Sequence, residues 1–169
     1  MSLPAPPGVI VREAVEADLP ALEWDGEYTH FRRVFRLTYA QTLTGQRLML
    51  LAEAAGQVVG QIFAQLRSDH PRYADGQRRG YLYALRTKVN WRERGVGSLL
   101  LATAEDRLRA RGYEESVIAV AQTNPMARRF YEKRGYRVFL EDPGRWEYTD
   151  HLGQRHEVRE PAWVLEKPL

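Results

Sequence analysis

The sequence predicts an α/β fold whose first half is antiparallel and whose second half alternates strand with helix. Three observations carry this. Two apolar runs, RLMLLAEA and QVVGQIFAQ, flank a tight turn at Ala55-Gly56, the pattern of a β-hairpin. A strand-like aromatic run, YLYALRT, breaks into a Gly-punctuated turn and opens a helix, all within residues 81–98. Finally ESVIAVA, short and almost continuously apolar, reads as a central strand covered on both faces and is followed at once by a second helix signature.

In chain order, a Pro-rich lead precedes a first strand over residues 9–15. Asp18 then serves as N-cap of a short helix, with Pro20 in its first turn and Leu19, Leu22 and Trp24 on its apolar face; Gly26 interrupts it. In EYTHFRRVFRLTYAQTL, Phe31, Phe35 and Leu37 or Thr38 recur at helical spacing, and Arg32, Arg33 and Arg36 hold the opposite face. The hairpin supplies strands two and three. DHPRYADGQRRG is polar and turn-rich, hence a loop before the fourth strand.

The helix opened by the glycine turn places Leu100, Ala104 and Leu108 on one side and stops near Gly112. After the 115–121 strand, NPMARRFYEKRG gives a helix with Asn124 as N-cap, Pro125 at its first position and Gly135 at its end. Residues 136–140 and 157–167 read as two last strands, separated by a long polar excursion.

The chain has 169 residues, a length that fits one domain spanning 1–169 with its own core. With 44% hydrophobic and 28% charged residues it has the composition of a folded protein, not a disordered one. Absence of cysteine excludes disulfides, thiolate metal sites and a cysteine nucleophile, and suits a cytoplasmic location. No leader pattern and no membrane-length apolar run is present, so no membrane association is expected. A net charge of +3 with arginines scattered along the chain describes a surface better than a nucleic-acid site, and no aromatic-basic binding motif occurs, so no nucleic-acid partner is expected.

The turn of residues 92–98 has the makings of a phosphate cradle. Gly95 and Gly97 let the backbone approach a bound group, and the helix starting there presents unpaired N–H groups at the positive end of its dipole. A Walker loop would need Lys and then Ser or Thr after the last glycine, whereas Ser98 and Leu99 follow Gly97. A dinucleotide fingerprint would need a third glycine where Leu100 stands. The other reading of the two glycines is a tight strand-to-helix turn and nothing more.

What the residues do match is Arg92-x-x-Gly95-x-Gly97, between a strand and an amphipathic helix, followed by Asn124, Ala127, Phe130, Tyr131, Gly135 and Tyr136 at fixed spacing, and preceded by VREA-x-x-x-DLPAL near the N-terminus. This resembles the GNAT family of acyl-CoA N-acyltransferases. The resemblance covers most of the chain. It implies a mixed central sheet with an antiparallel N-terminal half, splayed fourth and fifth strands, and helices on both faces. It also implies acetyl-CoA or another acyl-CoA as co-substrate, with no metal, and a primary amine as acceptor.

By the same resemblance, the backbone amides of Arg94, Gly95, Val96, Gly97 and Ser98 hold the diphosphate, with Arg92 and Glu93 beside them. Asn124 and Tyr131 complete the cofactor side. Leu85 offers its N–H to the thioester carbonyl, polarising it and stabilising an oxyanion, and Thr87 offers its backbone to the pantetheine amides. Tyr131 aligns with the tyrosine that protonates the departing thiolate; packing of Phe130-Tyr131 on the sheet is its alternative role.

Family members that place a Glu early in the fourth strand use it as the base; here Tyr81 stands there, with Tyr83 next on that face. Candidates for the base are therefore Glu27 and His30, in a region that borders the acceptor site in the family, and Asp69 or His70 in the loop before the fourth strand; otherwise a water chain serves. Glu27 as a helix-dipole partner and His30 as a surface histidine are the plainer readings. His151 and His156 flank a turn at Leu152-Gly153 and could pair across a hairpin, with no spacing that suits a metal. Trp24, Tyr28, Tyr81, Tyr83 and Trp146 line an acceptor pocket or belong to the core. The expected activity is acetyl transfer to an amine by direct attack on the thioester; a non-catalytic acyl-CoA-binding module of the same fold is the alternative. The 141–156 excursion is a candidate contact surface for a homodimer.

Overall fold

The apolar runs on either side of Ala55-Gly56 fold back on each other in the computed structural model of the protein, which describes residues 5–169. The start of the Pro-rich lead, residues 1–4, lies outside the described residues. Strand β1 (Val9–Glu13) pairs with β2 (Arg47–Ala54), β2 with β3 (Gln57–Gln65), and β3 with β4 (Arg79–Thr87), all antiparallel. Ala55 and Gly56 both have positive φ, +49° and +76°, the backbone of a two-residue hairpin turn whose twist suits the strands.

β4 then pairs in parallel with β5 (Glu115–Ala121), so a crossover is required, and α2 (Val96–Ala110) supplies it. Helix α3 (Pro125–Glu132) leads to β6 (Arg137–Asp142), and the last strand, β9 (Ala162–Pro168), inserts between β5 and β6. The seven-stranded sheet has the order β1-β2-β3-β4-β5-β9-β6.

Its two faces are covered separately. On one side Leu50, Ala52, Ile62 and Leu82 pack under Val96, Leu100, Ala104 and Leu108 of α2. On the other, Met49, Leu51 and Phe63 meet Leu22 and Phe35, the latter from α1 (Arg32–Leu43). Successive β2 residues go to opposite faces, which explains why that strand is apolar without alternation. Gly80 is required where β4 passes beneath α2: a Cβ there would lie 2.6 Å from Leu108 Cδ2.

Four expectations are corrected. Asp18 is not the N-cap of the first helical segment. A 3-10 helix begins at Glu16 with Val15 as cap, and the Asp18 carboxylate, one turn in, accepts the Val15 N–H at 2.7 Å and pairs with Arg12 at 2.8 Å. That segment is not one amphipathic turn of α-helix either, because Trp24 and Asp25 adopt left-handed φ of +47° and +57° and turn the chain so that Trp24 is buried.

The second helix begins later than its pattern suggests. A 3-10 turn over Thr29–Phe31 precedes α1, whose buried pair is Phe35 and Thr38, Leu37 being exposed. The strand expected over 157–167 is two strands. β7 (Arg145–Thr149) and β8 (Arg155–Arg159) form a hairpin of their own out of the polar excursion, and Glu160-Pro161 separates β8 from β9.

Candidate active site

β4 and β5 are paired only from Arg79–Leu82 against Glu115–Ile118; beyond Leu82 they part. The cause lies in the strand itself. Phe63 faces Tyr83 and Gln61 faces Arg86, so the single residue Ile62 of β3 stands opposite both Ala84 and Leu85. This is a β-bulge, and Ala84 sits in it with φ +54°. A bulge adds twist and bends its strand, here turning the end of β4 away from β5.

Past the bulge the Lys88 N–H donates to Val59 O at 2.9 Å, which fixes the alternation: Arg86 and Lys88 address β3, whereas the N–H groups of Leu85 and Thr87 face the opening. The Thr87 carbonyl accepts from Arg92 Nε at 3.2 Å.

The chain leaves this opening through a 3-10 turn (Val89–Trp91), then positive φ at Glu93 (+60°) and Gly95 (+85°), and enters α2. Gly95 is the residue that needs its glycine, because a left-handed N-cap strains any side chain. The first bond of α2 runs from the Leu99 N–H to Gly95 O, 3.0 Å. The N–H groups of Arg94, Gly95, Val96, Gly97 and Ser98 find no acceptor among the described residues, and all lie on one turn at the positive end of the helix. A Cβ on Gly97 would sit 3.8 Å from both Thr87 Oγ1 and Phe130 Cζ, filling the space between the end of β4 and α3.

A run of unused amides beside an open strand edge fits a diphosphate followed by an extended amide-bearing arm. Arg134 adds a fixed cation there. Its guanidinium lies 3.6 Å from the Phe130 ring centroid and donates to Phe130 O at 2.8 Å and to Ser98 Oγ at 2.5 Å. Arg94 lies over Trp91.

Asn124 caps α3, its Oδ1 accepting the Ala127 N–H at 3.1 Å. Tyr131, one turn further along, stands edge-on to Phe130 and Tyr136 at 5.2 and 5.8 Å, and its hydroxyl makes no hydrogen bond among the described residues. Burial pushes its pKa up to about 12, with Arg134 pulling weakly the other way, so it holds its proton at neutral pH.

The other face of the opening is aromatic. Tyr28 stacks with Phe31 and meets Trp24 edge-on, while Trp146 and Tyr148 of the β7–β8 hairpin close over Phe31 at 6.1 and 4.9 Å. His30 belongs to this cluster, 4.2 Å from Phe31 and 6.0 Å from Tyr148. Glu27 acts electrostatically on both Tyr28 and Arg86.

Tyr81 and Tyr83 stack at 5.4 Å; Arg47 donates to the Tyr83 hydroxyl, and burial raises the pKa of both phenols. Asp69 and His70 remain in their loop, with His70 6.2 Å from Tyr73. His156 pairs with Asp150 (2.7 Å), not with His151, and no group of three or more metal-ligating side chains occurs among the described residues.

Three residues escaped the sequence reading: Arg86, Arg134 and Asp142. Asp142 accepts from the Tyr73 hydroxyl at 2.6 Å, and Tyr73 in turn stands edge-on to Tyr81. Each depends on a partner many positions away, and no local motif marks them.

Comparison with known proteins agrees with this geometry. The model of the acetyltransferase (GNAT) family matches residues 13–136. Among solved structures, Ard1 from Thermoplasma volcanium superposes with a TM-score of 0.70 at 18% identity, over 96% of this chain and 98% of that one. The ribosomal-protein-S18-alanine N-acetyltransferase from Escherichia coli gives 0.69 at 19%, over 95% and 93%. The PaiA N-acetyltransferase from Thermoplasma acidophilum, solved in complex with coenzyme A, gives 0.66 at 19%, over 95% and 99%. At these identities the structures speak for the fold alone, and the family match carries the assignment. The chain belongs to the GNAT family of acetyltransferases.

Proposed function

We propose that the protein transfers an acetyl group from acetyl-CoA to a primary amine acceptor, a small molecule or a protein. The observation that carries this reading is the conjunction of the β4–β5 opening with the unused amides of residues 94–98 at the start of α2. Acetyl-CoA, when bound, supplies a thioester activated toward amines.

The amides of Arg94, Gly95, Val96, Gly97 and Ser98 hold its diphosphate, with Arg92 and Glu93 flanking and Arg134 adding charge. The backbone of Thr87 orients the pantetheine arm. The Leu85 N–H holds the carbonyl oxygen and stabilises the negative charge that grows there as the amine attacks. Tyr131 keeps a proton ready for the sulfur that leaves, and Asn124 fixes the helix that carries Tyr131. The new bond is C–N and the broken one C–S.

The amine must lose a proton, and we assign its removal to Glu27, directly or through water. Glu27 lies beside Tyr28 and within electrostatic reach of Arg86, the neighbour of Leu85. His30 is packed against Phe31 and Tyr148 and is the less accessible of the two candidates.

A CoA-release assay over a panel of amines, with acetyl-CoA binding measured in parallel, tests the reading. Turnover with at least one amine class supports it. Tight acetyl-CoA binding without release on any amine leaves the non-catalytic binding module in its place.

A further inference from the structure

Four side-chain polar atoms among the described residues are buried without a hydrogen-bond partner: Trp24 Nε1, Gln61 Oε1, Arg86 Nη1 and His151 Nδ1. Three of them belong to one patch. Gln61 is the cross-strand partner of Arg86, so the two side chains share a face of the sheet. The Arg86 guanidinium lies 4.0 Å from the centroid of Tyr28, and Tyr28 meets Trp24 edge-on at 5.4 Å.

Arg86 has no carboxylate within ion-pair distance among the described residues, whereas other half-buried arginines such as Arg12 and Arg79 each pair with two. A ring beneath the guanidinium stabilises its face, but the in-plane N–H groups still need an acceptor. Burial draws the Arg86 pKa down, and the one carboxylate whose field is felt there is Glu27.

This unpaired cation is on the acceptor side. Side chains alternate along β4, so Arg86 projects to the face opposite Leu85 and Thr87, toward Tyr28 and Phe31, whereas Gly97 and the amide cradle lie next to Thr87. An anion seated on Arg86 is therefore not the diphosphate of CoA.

We propose that Arg86, with the indole N–H of Trp24, receives a carboxylate of the acceptor, which makes the acceptor a small amino carboxylate of the amino-acid type. A guanidinium fork matches a carboxylate in shape and charge. Glu27, close by and of opposite sign, suits the ammonium end of the same zwitterion, and the aromatic wall of Tyr28, Phe31 and Tyr148 suits its apolar part. The inference rests on the acetyl-transfer reading above.

The test separates the two. Equilibrium binding of N-acetyl amino acids and of the matching N-acetyl amino acid amides is measured by calorimetry with CoA present, and CoA release is measured with the free amino acids and their amides. The carboxylate form is expected to bind at least about tenfold more tightly than the amide, and the ratio is expected to fall toward one in Arg86→Gln. Trp24→Phe, which keeps an aromatic side chain and removes the indole N–H, reduces the ratio by about threefold and serves where Arg86→Gln does not fold. Equal binding of acid and amide by the unaltered protein, or a ratio unchanged in both variants, overturns the proposal. Discrimination in binding with no CoA release on any amine upholds the carboxylate site and removes the transfer reading.

Discussion

Arg134, just past the end of α3, donates to Ser98 Oγ in the first turn of α2 at 2.5 Å, tying together two helices across 36 positions of sequence. The guanidinium is partly buried on the Phe130 ring, and burial lowers its pKa from the ordinary arginine value without threatening its charge. It is thus a positive charge held beside amides that already favour an anion. Arg134→Met is expected to raise the Kd for acetyl-CoA by about tenfold, the worth of one charge-assisted contact. Calorimetric titration with acetyl-CoA checks this, and an unchanged Kd would show that Arg134 only ties the helices together.

Tyr131→Phe is expected to lower kcat by about 100-fold while acetyl-CoA binding is retained, since only proton donation to the leaving sulfur is lost. The sign of the pH effect follows from burial. The folded-state pKa is raised to about 12, above the ordinary value of 10.0, so the folded protein binds the proton more tightly. Stability from this group is complete below pH 10 and is lost as pH rises toward 12. The pH–rate profile should therefore show no basic limb from Tyr131 up to pH 10, and stopped assays across pH 6–10 on both forms measure it.

Asp150 anchors the turn of the β7–β8 hairpin: its Oδ1 accepts the Leu152 and Gln154 N–H groups at 2.9 Å, and its Oδ2 pairs with His156. His156 first, and then these amides, hold its pKa at about 2. A depressed carboxylate contributes stability above its unfolded pKa near 3.8 and loses it as pH falls toward 2, so the hairpin should loosen in that acid window. Asp150→Ala should do the same at neutral pH. Hydrogen exchange at the β7 and β8 amides should accelerate selectively, with acceptor KM rising because Trp146 and Tyr148 cover Phe31. Uniform acceleration over the whole sheet would contradict a local role.

Where local rules decide, the sequence was sufficient. The Ala55-Gly56 turn, the 115–121 strand, the Asn124 cap and the glycine turn into α2 all follow from residues within a few positions of one another, and all stand as expected. Asp18 shows the limit: its residue type suits a cap, but Arg12 on the adjoining strand claims it and moves it one turn inward. The polar excursion concealed β7 and β8 because a solvated two-stranded ribbon needs no apolar run, and the pH-sensitive Asp150–His156 pair at its tip is a contact between side chains. Arg86, Arg134 and Asp142 are surface-like residues in the sequence that acquire a role only when segments far apart in the chain meet: Arg86 with Tyr28, Arg134 with Ser98, and Asp142 with Tyr73.

The opening between β4 and β5 depends on a residue that no sequence rule marks. Ala84 has φ +54° without being glycine, and Gln61, fully buried on β3, donates to its carbonyl at 3.4 Å. An alanine in the left-handed region is held against its preference by the surrounding sheet, at a cost of about 1 kcal/mol. Ala84→Gly removes that strain and leaves the bulge in place, and it should be neutral or slightly stabilising with acetyl-CoA affinity unchanged. Ala84→Val adds a β-branched side chain where left-handed φ suits it least, and is expected to cost about 2 kcal/mol. The strand can escape that strain only by giving up the bulge, which would shift the register of Leu85 and Thr87 by one residue and turn their N–H groups toward β3. Ala84→Val should therefore lose acetyl-CoA binding by more than its loss of stability accounts for, measured by chemical denaturation alongside calorimetry. Equal, purely thermodynamic losses in both measurements would mean that the splay does not need the bulge.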